Sequence, residues 1–165
     1  MIHPLAKFLF CPCCGSAHFK VNDFKSKRCT DCGFTFYHNS AAATVAVILN
    51  SRNELLVTRR AFNPAAGTLD LPGGFVDAGE TAEEGIVREV EEETGGKAVV
   101  EKFLFSLPNE YVYSDFIVHT TDLFFLCQLL DETALIAHDD AAALFWIPSA
   151  DIRPSDFGLA SIAAG

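Results

Sequence analysis

The chain has 165 residues, is half apolar and 12% aromatic, and carries a net charge of −10. That length suits one domain, or a small module followed by a domain of about 125 residues, and the apolar content excludes a disordered chain. The acidity excludes a surface built to wrap a nucleic-acid backbone throughout. The apolar runs at 41–49 and 123–127 fall short of the ~20 residues that span a bilayer. The opening MIHPLAKFLF has neither the long apolar stretch nor the cleavage site of a secretory signal. The expectation is a cytoplasmic protein with no membrane partner, whose cysteines serve as metal ligands or thiols rather than disulfides.

Five of the six cysteines lie in the first 32 residues. Cys11-Pro12-Cys13-Cys14-Gly15 and Cys29-Thr30-Asp31-Cys32-Gly33 are two C-x-x-C-G turns. Two thiolates three apart can face one ion, and two such turns supply the four ligands of a closed tetrahedral zinc site. Cys11, Cys14, Cys29 and Cys32 are the expected ligands, with Cys13 as a possible substitute for one. A segment of about 39 residues cannot build a sufficient core, so a structural zinc would supply its stability. Residues 8–38 resemble a zinc ribbon; residues 1–39 are expected to form that module and 40–165 the second domain. Residues 1–39 sum to +3. Lys20, Lys25, Lys27 and Arg28 beside Phe19 and Phe24 would suit nucleic acid, but simple solubilisation of a small module is the preferred reading.

Beyond the cysteines, residues 44–49 form an apolar β-branched run, Asn50-Ser51-Arg52-Asn53 a turn, and 54–59 a second extended run, together a predicted hairpin. A loop at Asn63-Pro64 and Gly67 precedes a short strand at 69–71, stopped by Pro72-Gly73-Gly74. Residues 81–94 make the strongest helix. Thr81 and Glu84 form a capping box, Gly95-Gly96 ends it, and Ala82, Ile86 and Val90 draw the buried stripe. Three extended runs follow near 98–107, 110–118 and 122–130, with turns at Pro108-Asn109 and Thr121-Asp122. A strand at 144–147 ends at Pro148, and a short helix is expected near 157–163. Cys127 reads as a packed core cysteine. The sum is a mixed sheet packed against helices.

The chemistry concentrates on the helix. Residues 77–93 hold eight acids and one base. Glu89, Glu92 and Glu93 fall within an arc of about 100°, with no lysine at i+4 interleaved among them. Clustered carboxylates of this kind suit a hard divalent cation, Mg²⁺ or Mn²⁺, an ion that holds substrate phosphates. The glycine loop at 72–79 leads into the helix, and the backbone carbonyl of Gly74 is a further candidate ligand.

The pattern Gly74-x5-Glu80-x7-Arg88-Glu89-Val90-x-Glu92-Glu93-x-Gly95 resembles the Nudix box of the Nudix hydrolases and matches its seven fixed positions. Gly96 stands where the family has a second apolar residue. Leu71-Pro72-Gly73-Gly74 and Trp146-Ile147-Pro148 are also similar to Nudix sequence, so the resemblance covers roughly residues 40–150. It implies an α/β (α+β) fold, an α/β/α sandwich around a mixed sheet, here with a small N-terminal zinc ribbon. It also implies Mg²⁺-dependent hydrolysis of a nucleoside diphosphate linked to another group X. In that scheme Glu89, Glu92 and Glu93 hold the metal, Arg88 fixes a catalytic glutamate by a salt bridge, and Glu80 supports the site from behind. The general base is either a box glutamate or an acid on a late loop, Glu132, Asp139 or Asp140. Asp140 stands six before Trp146, where ribbon-bearing NADH pyrophosphatases carry a catalytic glutamate.

A zinc ribbon ahead of such a domain is similar to NADH and ADP-ribose pyrophosphatases. The NADH enzymes' S-Q-P-W-P-F-P-x-S motif has only an echo between Ser106 and Ser114, which keeps both serines, the first proline and an aromatic. The expected substrate is a related NAD(H)- or ADP-ribose-like compound rather than NADH itself. Tyr111, Tyr113 and Phe62 are candidates to stack on a base, against the commoner core role. His38, His119 and His138 read as structural. Two other readings compete: a non-catalytic nucleotide sensor whose ribbon binds nucleic acid or protein, and a capped-RNA hydrolase with the same chemistry. A homodimer is the usual arrangement in the family.

Overall fold

The computed structural model describes residues 3–113, 116–133 and 135–165. Met1 and Ile2 of the opening segment, and Ser114 of the serine–proline echo, lie outside the described residues. The chain divides into two compact units, Met1–Ser40 and Ala41–Gly165.

In the first unit β1 (Phe19–Asp23), β2 (Ser26–Cys29) and β3 (Thr35–Tyr37) form an antiparallel sheet in that order. Each C-x-x-C-G turn closes on its glycine: the Gly15 N–H donates to the Cys11 carbonyl and the Gly33 N–H to the Cys29 carbonyl. Both glycines sit at positive φ, 74° and 77°, which other residues adopt only with strain. The apolar core is small, Cys11, Phe19 and Cys29 with Phe36 packed against it. Lys27 departs from the expected basic surface. It is buried, its ammonium donates to the Phe8 carbonyl at 2.6 Å, and it lies over the Phe19 ring. Lys20 and Arg28 stay exposed, opposite one another across β1 and β2.

The second unit runs β4 (Ala41–Ile48), β5 (Glu54–Arg60), β6 (Leu69–Asp70), α1 (Ala82–Thr94), β7 (Ala98–Tyr113), β8 (Phe116–Leu129), β9 (Ala141–Pro148) and α2 (Ala160–Ala164). Among the described residues it holds two three-stranded sheets. One has the order β4-β8-β7, with β4 parallel and β7 antiparallel to β8, and so is mixed; the other, β6-β5-β9, is antiparallel. β4 and β5 are buried on both faces. Ala46, Ile48 and Leu56 pack with Ile86 and Val90 of α1, while Val45 and Val57 pack with Leu71, Phe124 and Ile162 of α2. Such two-sided burial is the physical counterpart of a near-continuous apolar strand. Cys127 is buried in the α1-facing cluster, as expected.

Three expectations change. The predicted hairpin keeps its turn at Asn50–Asn53 and a bridge at Leu49–Leu55, but β4 and β5 enter different sheets and form no ladder with each other among the described residues. Eight residues of parallel pairing with β8 claim β4 instead. The predicted turns at Pro108-Asn109 and Thr121-Asp122 are strand interior: β7 and β8 pair antiparallel through both positions, as far as Tyr113 opposite Phe116. Pro108 sits on β7, an edge strand of its sheet among the described residues, the position in a sheet where proline is accommodated. The expected mixed sheet is present as β4-β8-β7, and the strands β6, β5 and β9 form an antiparallel sheet in addition to it. Among the described residues, no helix is long and apolar enough to cross a membrane.

Candidate active site

The α1 helix is set by its cap. Thr81 accepts from the Glu84 N–H at 3.2 Å, and the Glu84 carboxylate accepts from the Thr81 N–H at 2.8 Å. With Ile86 and Val90 fully buried, the helix cannot rotate about its axis, and the box acids are fixed along one flank. Glu93 is 7% exposed, and its Oε2 accepts from the Gly73 N–H at 3.2 Å. Glu89 lies against Gly74, where a Cβ would fall 2.5 Å from the Glu89 carboxyl carbon. A side chain at position 74 would displace the Glu89 carboxylate from this place.

Arg88 gathers the rest. It donates to both oxygens of Glu80, at 3.2 Å from Nε and 2.7 Å from Nη2. Its Nη1 donates to Glu89 and to Glu92, each at 2.9 Å, and its Nη2 also reaches the Phe75 carbonyl at 3.0 Å. The sequence suggests carboxylates without a basic partner; the fold gives two of them one arginine. Glu80 in turn accepts from the Asp77 N–H at 2.7 Å, tying the loop before the helix to the same cluster.

Beside Glu93 opens a cavity of about 130 Å³. Strand alternation builds its walls. Asn109 and Tyr111 share one face of β7, and Asn109 pairs with Thr120, two residues from Asp122 on β8. Thr58 and Arg60 share one face of β5, opposite Asp70 of β6. The loop Gly73–Phe75, Asp140, and Leu159 and Ile162 near and on α2 complete the lining. Asp70 is ion-paired to Arg60. Asp122 accepts from the hydroxyls of Thr120 at 2.6 Å and Ser161 at 2.5 Å. Burial pushes the Glu93 carboxyl up to about 8, reinforced by the charges of Asp70, Glu89 and Asp140. Burial also holds Glu89 above the ordinary carboxylate range, against the pull of Arg88.

Of the loop acids, Asp140 shares this lining with Glu93, whereas the charge of Asp139 acts on Glu89 and that of Glu132 on Arg52. The Gly74 carbonyl accepts from the Thr44 N–H at 2.8 Å and the Thr44 hydroxyl at 3.3 Å. Both its lone pairs are thus engaged in this conformation. Tyr111 lines the cavity, edge-on to Phe75 at 6.2 Å, while Phe62 and Tyr113 are exposed and outside it. Sequence reasoning missed Thr58, Arg60, Asp70, Asn109, Thr120 and Asp122. Asn109 and Asp122 read as turn formers; their only sequence signal is a polar residue on the inward register of a strand.

In the first unit the sulfurs of Cys11, Cys14, Cys29 and Cys32 all lie within 4.8 Å of one another. The Cys11–Cys32 and Cys14–Cys29 separations are both 3.7 Å. A tetrahedron with Zn–S bonds of about 2.3 Å has edges of about 3.8 Å, so the set fits zinc. Cys13 is exposed and outside the group. Among the described residues no other three or more such ligand atoms converge this closely.

A family model described as the NUDIX domain matches residues 39–163. ADP-ribose pyrophosphatase of Methanocaldococcus jannaschii is 50% identical over 54 residues, which are 33% of this chain and 32% of that protein. NAD-capped RNA hydrolase NudC of Haemophilus influenzae is 33% identical over 94 residues, 56% of this chain and 36% of that protein. The chain thus spans about a third of the length of these two curated relatives. A NUDIX hydrolase from Nitrosomonas europaea superposes with a TM-score of 0.76 at 21% identity, over 94% of this chain and 86% of that one, a likeness of fold.

Proposed function

The chain belongs to the Nudix hydrolase family, and on that premise we propose that residues 40–165 cleave a nucleoside diphosphate linked to X, of NAD(H)- or ADP-ribose-like type, into a mononucleotide and phosphorylated X. The observation that carries this reading is Glu93. A carboxylate buried among other acids is unfavourable alone and is relieved by a cation or a proton. The oxygen donors of Glu89, Glu92 and Glu93 suit a hard divalent ion. Bound Mg²⁺ or Mn²⁺ would neutralise the pyrophosphate and lower the pKa of the attacking water. The chain's own residues hold the arrangement. Arg88 orients Glu89 and Glu92, Glu80 anchors Arg88 from the other side, and the Gly73 N–H fixes one oxygen of Glu93. Asp140 is favoured as general base over Asp139 and Glu132, because it shares the cavity lining with Glu93. Cys11, Cys14, Cys29 and Cys32 would hold a structural zinc.

Both curated relatives act, by their names, on compounds with a nucleotide diphosphate linkage, and the metal site reads only that linkage. A capped RNA is therefore the second reading, favoured by the exposed Lys20 and Arg28 of the first unit. The test is release of mononucleotide from ADP-ribose, NADH, NAD and a nucleoside triphosphate, with and without Mg²⁺. We expect turnover of a diphosphate compound that falls about 100-fold or more in Glu92→Gln, since residues that merely support ligands already cost ~10–100-fold. Ligand binding with no turnover across the panel would overturn the enzyme reading in favour of a sensor.

A further inference from the structure

The β1–β3 sheet of the first unit has two unlike faces. Phe19 pairs with Cys29, and Lys27 with Phe36. Phe19, Lys27 and Cys29 are buried, and Phe36 packs on the same small core. On the other face Lys20 is the register partner of Arg28, Arg28 that of Thr35, and Tyr37 lies two residues beyond Thr35, opposite Ser26. Alternation puts both cations and the tyrosine on one side. Lys20 and Arg28 are exposed there, and Tyr37 is 49% exposed. Phe24, in the turn that leads into Ser26, is 81% exposed, with the Lys25 ammonium 5.8 Å from its ring centroid. Solubilising a small module accounts for the lysines and not for the rest. Like charges directly opposite one another destabilise a sheet, and large rings held in water are unfavourable. The unit's two acids are engaged elsewhere: Asp31 pairs with His18, and Asp23 accepts from the Lys25 N–H. An anion between Lys20 and Arg28 would relieve the first cost, and a flat apolar group over the rings the second.

We propose that this face docks a single-stranded nucleic acid, with Lys20 and Arg28 on its phosphates and Tyr37 and Phe24 under its bases. A single strand presents charge and flat rings in alternation, and a cationic track beside aromatic platforms is what holds it without sequence preference. Two residues along a β-strand span about 7 Å, so one short stretch of nucleotides reaches both the cation pair and the Tyr37 ring. A duplex supplies the phosphates but keeps its base faces stacked inside. Residues 1–40 carry +3 of a total of −10, which leaves −13 on the remainder. That acidity repels phosphate and confines the contact to this face, so the binding is weak and strongly salt-dependent. The inference concerns the strand, whatever its end carries, and does not rest on the hydrolase reading.

The test is fluorescence anisotropy of a labelled single strand of about twelve nucleotides, as RNA and as DNA, titrated at low salt with the zinc-loaded full chain. We expect binding of at least one of them, with a log–log dependence on salt of slope about −2, the value for phosphate contacts from Lys20, Lys25 and Arg28. Tyr37→Ala should weaken it about tenfold, whereas Tyr37→Phe keeps the ring and the affinity. Lys20→Ala and Arg28→Ala should each make the slope shallower by about 0.7. Zinc content of each variant reports whether the ribbon is intact; if Tyr37→Ala loses its zinc, Phe24→Ala in the exposed turn carries the stacking test. No binding at low salt, equal or tighter binding of a duplex of the same sequence, or affinity unchanged in all these variants would overturn the proposal. So would a Tyr37→Ala variant that binds the strand normally but loses a self-association seen by sedimentation, which would make the face a contact between copies. Strand binding with no mononucleotide released from any diphosphate compound would sink the enzyme reading and leave this one standing. Release without strand binding would do the reverse.

Discussion

Glu93 and Arg88, five residues apart on α1, have opposite electrostatic surroundings. Arg88 spreads one guanidinium over Glu80, Glu89 and Glu92, while among the described residues the Glu93 carboxylate has a backbone N–H and like-charged neighbours. With burial lifting its folded-state pKa to about 8, Glu93 in the metal-free protein favours the protonated form. A raised pKa adds stability that is fully present below the unfolded carboxyl value and is lost as pH rises towards 8. Metal-free protein should therefore melt at progressively lower temperature between pH 5 and pH 9, and Glu93→Gln should flatten that slope. Equal slopes in the two proteins, read by circular dichroism, would refute the assignment.

The α1 helix does more than carry the acids, because its azimuth decides which of them is buried. Ile86 and Val90 lock one face into the core, so Glu93 turns inward to the cavity while Glu92 stays half-exposed. The capping box fixes where the first turn begins, and with it the path of the glycine loop. Removing the side-chain half of that box in Thr81→Ala should cost about 1 kcal/mol (range ~0.5–2) in urea unfolding of the second unit. A cost near zero would mean that packing alone sets the helix start. The long strand β7 shows the same logic in a sheet: alternation alone puts Asn109 and Tyr111 on one face.

Across the whole molecule the two units are stabilised by different means. The second has two apolar clusters around its paired sheets. In the first, two of the four buried apolar side chains among the described residues, Leu5, Cys11, Phe19 and Cys29, are cysteines of the sulfur group, so metal binding and folding are expected to be one event. The full chain should carry about one zinc, and a chelator should abolish amide-exchange protection in β1–β3. Cys29→Ser should lose the zinc, whereas Cys13→Ser should keep it. Protection that survives complete zinc removal would show that the unit folds on its apolar contacts alone.

The sequence by itself determined whatever depends on short spacing. The two C-x-x-C-G turns, the Thr81–Glu84 cap, the Ile86–Val90 stripe and the box spacing from Gly74 to Gly95 are local, since turn and helix geometry map sequence separation directly onto space. Pairing partners are not local. Nothing in residues 41–60 states that β4 joins β8 and β5 joins β9, nor that Pro108 lies on an open edge. The cavity therefore stayed hidden: Thr58, Asp70, Asn109 and Asp122 are distant in the chain and meet only when two sheets close over them. Likewise only the tertiary structure decided that Arg88 serves three acids and that the Gly74 carbonyl is already engaged by Thr44. Side-chain partners across elements follow from which surfaces pack, and packing is settled by the burial of the whole apolar set at once.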